Sequence, residues 1–189
     1  MASSINALTT GSGGVVTTAD NSGDLNIQSG GSTKIAVTSA GVAVTGLSKA
    51  SLPTGSVLQV VNTSNTTTYT TSTNAYISLG LSLSITPTSA TSKILVLCSI
   101  ASTGKETGNT YAAFRLDKNG SSLQTNIGLY GGRTASTALN YSAGTSFHYL
   151  DSPATTSSTT YEIKMNSDDN LASVYANGFK SITLMEIAA

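Results

Sequence analysis

The chain has 189 residues, nine basic and nine acidic side chains, and no net charge at pH 7. Charged residues make up only 10% of it, against roughly 25% in ordinary soluble domains, and sixty residues are Ser or Thr. That excludes the Lys/Arg stripe a nucleic-acid binder needs, and no run of about 18 apolar residues exists to form a membrane-spanning helix. Neither nucleic acid nor membrane is therefore expected as a partner. One cysteine, Cys98, excludes an intramolecular disulfide framework, so stability must come from packing and assembly. The opening Met1-Ala2-Ser3-Ser4-Ile5-Asn6 lacks a basic n-region and an apolar h-region, so no secretory signal is expected.

Residues 1–46 read as short strands separated by turns. The strands are Val15–Thr18, Leu25–Ile27, Lys34–Val37 and Val42–Val44, and the turns between them are rich in Gly, Asn and Ser, residues that tolerate positive φ. Each strand offers about two apolar side chains. So thin a stripe over so short a segment cannot close a core alone. The segment must be disordered, pack on the second part of the chain, or intertwine with other copies; its regular alternation argues against disorder, and association is the expectation. Residues 47–55, small and carrying Pro53 between Leu52 and Thr54, read as a linker.

Residues 56–189 are long enough to bury their own core. Strands are expected over Val57–Val61, Thr67–Thr70, Tyr76–Thr86, Lys93–Ser102, Thr110–Leu116, Ser122–Ile127, Ser146–Leu150, Thr160–Asn166, Leu171–Ala176 and Lys180–Ile187. The clearest pattern is Ile77, Leu79, Leu81, Leu83 and Ile85, apolar at every second position, which places all five on one face of a sheet. Asn119-Gly120 is a hairpin signal, because a type I′ turn requires positive φ at both central residues. No helical period of useful length occurs. The expectation is an all-β chain: a short strand and hairpin assembly segment followed by a β-sandwich of jelly-roll type.

Candidate chemistry is sparse. His148 has Ser146 and Asp151 nearby in sequence, but no Gly-x-Ser-x-Gly elbow accompanies them, so a strand histidine is expected rather than a triad. One Cys and one His are too few for a structural zinc site, and Ser167-Asp168-Asp169-Asn170 matches no calcium-loop spacing. Glu106 reads as a solvated loop tip, and Gly131-Gly132-Arg133 lacks the phosphate-loop pattern. The sequons at Asn62, Asn65, Asn119 and Asn140 reflect Ser/Thr/Asn richness. Tyr69, Tyr111, Tyr130, Tyr141, Tyr149 and Tyr175 lie near strand ends, where an aromatic ring can stack on a sugar or anchor an interface. No catalytic, cofactor-binding or metal-binding residue is assigned, no cofactor is expected, and the chain is read as non-enzymatic.

The opening carries a resemblance. Gly13-Gly14-Val15-Val16-Thr17-Thr18-Ala19-Asp20, Gly23-Asp24-Leu25-Asn26-Ile27-Gln28-Ser29-Gly30-Gly31 and Ala40-Gly41-Val42 resemble the N-terminal segment of virion structural and tail-fibre-like proteins of tailed bacteriophages. The resemblance covers about a quarter of the chain; the remainder is similar in pattern to the trimeric jelly-roll heads of phage fibres and decoration proteins. It implies a homotrimer on the outer surface of the virion, its N-terminal strands intertwined about a threefold axis and its jelly rolls forming a knob. A capsid decoration (cement) protein bound to the major capsid protein is the first expectation, since the chain is short for a fibre. A short tail fibre or spike, attached to tail proteins and binding a host surface glycan, is the alternative.

Overall fold

The computed structural model describes residues 25–45, 52–105, 110–130, 142–168 and 173–189, with the backbone alone for 128–130 and 142. The chain divides into two units, Met1–Ser48 and Lys49–Ala189. Every regular element among the described residues is a strand.

In the first unit, β1 (Leu25–Ser29), β2 (Ser32–Thr38) and β3 (Gly41–Val44) form an antiparallel meander in the order β1-β2-β3. Gly30 and Gly31, with φ of 58° and 74°, make the first turn, a conformation costly for residues with a Cβ. Val15–Thr18 lies outside the described residues.

The second unit contains β4 (Val57–Asn65), β5 (Tyr69–Thr71), β6 (Ile77–Ile85), β7 (Lys93–Lys105), β8 (Ala112–Lys118), β9 (Ser121–Tyr130), β10 (Ser142–Asp151), β11 (Thr159–Ser167) and β12 (Val174–Ile187). One sheet has the order β10-β7-β12-β4, with β5 also on β12, and the other the order β6-β11-β8-β9. Setting β5 aside, eight strands remain, and their pairing is nested. The first pairs with the last (β4 with β12), the second with the seventh (β6 with β11) and the fourth with the fifth (β8 with β9); β7 pairs with β10, the third with the sixth. A long antiparallel ribbon folded over on itself into two sheets is the jelly roll, so the expected fold class is the one found.

The core lies between the two sheets. Ile94, Val96, Cys98, Ile100, Ile182 and Leu184 point into it from one sheet, and Leu79, Leu81, Phe114, Leu116, Tyr161 and Ile163 from the other, all 4% exposed or less. Strand alternation puts each set on one face. Phe114 and Phe147 meet across the layer with ring centroids 5.9 Å apart, in the range favoured by tilted aromatic pairs.

Two irregularities preserve this pattern. On β6 the register with β11 passes from Leu81↔Ile163 to Ser78↔Lys164, skipping two residues, so Ile77 and Leu79 keep the core-facing parity of Leu81. Gly80 lies in this bulge at φ 63°. On β12 the register with β7 shifts between Asn177 and Lys180, around Gly178 at φ 69°. Two strands were expected over 171–176 and 180–187; they are one, β12, because Gly178 lets the chain bulge without leaving the sheet. The Asn119-Gly120 turn forms as expected, with φ of 50° and 80°. It is tied to β11, where Asn119 N donates to Thr160 O and Thr160 N donates to Asn119 Oδ1, each at 2.9 Å.

Candidate functional site

The most distinctive surface is on the first unit. Register places Leu25 opposite Val37 and Val37 opposite Val42, and likewise Ile27 opposite Ile35 and Ile35 opposite Val44. Two three-residue apolar rows therefore share one face of the meander. Leu25 is 59% exposed, Ile27 50%, Val42 68% and Val44 50%. A three-stranded sheet needs a covered apolar face to be stable in water. Covering the remaining area is worth on the order of 5 kcal/mol per copy, at ordinary transfer values for half-exposed aliphatic side chains.

The titratable groups of the second unit are committed to structure. On the outer side of the β6-β11-β8-β9 sheet, Asp117 is fully buried beneath Arg115 and Lys164. Arg115 Nε and Nη2 donate to its two oxygens at 2.6 and 2.9 Å, and Lys164 Nζ sits 2.9 Å from Oδ2. Burial pushes the Asp117 carboxyl up, but these two cations outweigh it and hold the group below the usual carboxylate range. Asp117 in turn raises Lys164. The Arg115 guanidinium stacks 4.4 Å from the Tyr76 ring centroid, a favourable cation–π placement.

Three further clusters close the sandwich. Asp151, on β10, accepts from Tyr161 Oη at 2.6 Å and from Lys118 Nζ at 2.9 Å; burial, then this carboxylate, raises the phenol. Glu186, fully buried on β12, accepts from Thr88 N and Gln59 Nε2, each at 2.6 Å, and from Thr88 Oγ1 at 2.7 Å. Burial raises its carboxyl, yet the donors of Thr88, Ser92 and Gln59 bring it below its ordinary value. Lys180, also fully buried, donates to Thr67 O at 2.6 Å and Gly178 O at 2.9 Å, and burial lowers its ammonium.

Sequence reasoning did not single out Asp117, Glu186 or Lys180. A signal was available for two of them. Lys180 and Glu186 share the parity of Ile182 and Leu184, so a charged residue at an inward position of a strand already implied a buried, saturated ion.

His148 and Asp151 lie on opposite faces of β10. His148 is exposed with Ser146 on the outer face, whereas Asp151 is buried with Phe147 and Tyr149 on the inner one. The geometry does not bring a triad together. Cys98 is buried, and burial pushes its thiol up to about 12. Asp168 accepts from Thr110 Oγ1 at 3.2 Å; Asp169, Asn170, Glu106, Gly131–Arg133, Asn140 and Tyr141 lie outside the described residues, as does the side chain of Tyr130. Among the described residues no three His, Cys, Asp or Glu side chains come together. Tyr69 and Tyr149 pack against the core. Asn62 and Asn65 turn their amides to the carbonyls of Ile182 and Leu79, each at 3.0 Å.

No protein-family model matches the sequence, and no curated protein is similar to it. Several solved structures match, two of them as follows. The T=1 particles derived from infectious bursal virus match at 9% identity and a TM-score of 0.37, over 69% of this chain and 36% of that one. The VP2 subviral particle of infectious bursal disease virus matches at 11% identity and a TM-score of 0.36, over 83% of this chain and 49% of that one. The chain thus spans between about a third and a half of those chains. Likeness at that level carries no argument about what this chain does.

Proposed function

We propose that the chain is a virion structural protein of a tailed bacteriophage, a capsid decoration (cement) protein that binds the assembled shell as a homotrimer on its outer surface. It has no catalytic role in this reading and needs no cofactor. The observation that carries it is the meander of the first unit, whose two apolar rows stand exposed among the described residues. A surface of that kind belongs to a protein completed by assembly. The resemblance of residues 1–46 to phage virion proteins supplies the setting. The eight-stranded jelly roll is compatible with a trimeric knob, although a fold that hosts many functions adds no weight by itself.

The test is the number of copies per particle, measured against the major capsid protein by quantitative mass spectrometry of purified virions. Hundreds of copies fit a shell protein; a handful to a few dozen places the chain on the tail and overturns the decoration role. Deleting residues 1–46 is expected to abolish attachment to shells, and a truncated chain that still decorates them would count equally against it.

A further inference from the structure

The two sheets of the jelly roll differ on their outer faces. The β6-β11-β8-β9 sheet presents Arg115, Asp117, Glu162 and Lys164, a linked set of ion pairs. The outer face of the β10-β7-β12-β4 sheet is laid out in four cross-strand rows of another kind. The register places Leu150, Leu95, Met185 and Val60 side by side across all four strands. The row on one side is Lys93, Ile187 and Val57; on the other come His148, Leu97, Thr183 and Asn62, then Ser146, Ser99, Ser181 and Ser64. Leu150 is 51% exposed, Val60 53%, Val57 47% and Leu97 38%. An exposed face of an antiparallel sheet ordinarily carries polar side chains; here one row is wholly apolar and the row beside it is apolar except for Lys93, the one full charge across the four.

We infer that this face is where the jelly rolls of neighbouring copies pack on one another, about an axis running along the strands. This rests on the homotrimeric reading above and names the surface that would serve it.

Three features select a second copy as the occupant. The first is charge. Symmetry brings identical residues together, so a charged face would repel its own image, whereas this one has almost nothing to repel. The second is size. Four strands about 4.8 Å apart and four rows about 7 Å apart give a face of roughly 500 Å² in projection, a substantial part of the roughly 800 Å² per partner of a stable interface once side-chain relief is added.

The third is the order of the rows. A rotation axis parallel to the strands keeps every row at its own height, so apolar rows meet apolar rows and the serine row meets serine rows. Ser146, Ser99 and Ser181 of the serine row, with Leu97, His148 and Thr183 beside them, line a shallow trough of about 360 Å³, so the polar end of the face is hollow and the apolar end stands proud. Close packing would then centre on Leu95 and Met185, in the two middle strands.

Cysteine cross-linking of the full-length chain tests this. Cys98 is buried and does not compete. In Met185→Cys, and in Leu97→Cys as a second and more exposed position, mild oxidation is expected to give an interchain disulfide. Ser82→Cys, on the outer face of the other sheet, is expected to give none. Adding Leu150→Lys and Val60→Lys to the Met185→Cys chain is expected to abolish the cross-linked band. A trimeric mass by light scattering without cross-linking above the Ser82→Cys control overturns the inference and leaves the trimer standing. A monomeric mass at every concentration overturns both. If added shells protect the thiol of the Met185→Cys chain from alkylation, without self-cross-linking, the face belongs to the shell contact and the inference is likewise overturned.

Discussion

Tyr161 on β11 and Asp151 on β10 come from opposite sheets and meet inside the sandwich, the phenol donating to Asp151 Oδ2 at 2.6 Å. Lys118, from β8, completes the cluster on the same carboxylate. A buried polar link between layers fixes their relative position, because any slip leaves a desolvated hydroxyl or carboxylate unpaired. Asp151→Ala is expected to destabilise the second unit by about 3 kcal/mol, since it strands both donors. Tyr161→Phe should cost nearer 1 kcal/mol, because Lys118 still satisfies the carboxylate. Urea denaturation of the two variants checks the order, and equal losses would mean the phenol rather than the carboxylate holds the cluster together.

Gly80 makes a second point of failure. Its φ is 63°, and a Cβ there would run into the Tyr69 hydroxyl and lie 3.2 Å from Asn65 Nδ2. Gly80→Ala is therefore expected to cost about 2–4 kcal/mol, backbone strain and overpacking together. Gly120→Ala, where the added Cβ meets nothing within 4 Å, should lose only the strain component. Comparing the two melting temperatures separates the terms.

Acid sensitivity follows from Asp117 and Glu186. Both carboxyls are held below their ordinary values in the folded chain. Their contribution is present above the unfolded values of 3.8 and 4.5 and is lost as pH falls through the lower, folded ones. Stability should thus be flat with respect to these groups down to about pH 5 and decline below it. Glu186→Gln keeps one acceptor oxygen but turns an NH2 donor toward either the Gln59 or the Thr88 donors. Its deficit relative to the parent chain is expected to be largest at neutral pH and to narrow below about pH 4. Denaturation midpoints measured across that range decide it; a constant deficit would mean that Glu186 does not titrate with folding.

Cys98 offers a probe of global opening. Its thiol is enclosed by the core and pushed up to about 12 by burial, so little thiolate exists near neutral pH. A thiol reagent is expected to leave the native chain unlabelled and to react only where urea unfolds the second unit. Labelling well before the unfolding transition would reveal a local opening of β7.

The all-β class, the hairpin at Asn119-Gly120 and most strands of the jelly roll were legible in the sequence, because a period of two and a required positive φ are local properties. The thin apolar stripe of the first unit was legible for the same reason. Its arrangement in two rows on one face was not, since that depends on register between strands, which the alternation within any one strand leaves open. Likewise Lys180 and Glu186 stand at inward positions that alternation already marks, but only the folded chain supplies the carbonyls of Thr67 and Gly178 and the donors of Thr88 and Gln59 that make burial tolerable. The apolar face of β10-β7-β12-β4 was hidden for the most general reason. Leu150, Leu95, Met185 and Val60 lie far apart in the chain, and long-range strand pairing alone makes them neighbours. Local pattern determined what each strand is; tertiary pairing decided which side chains share a surface, because hydrogen-bond register acts between segments and not within them.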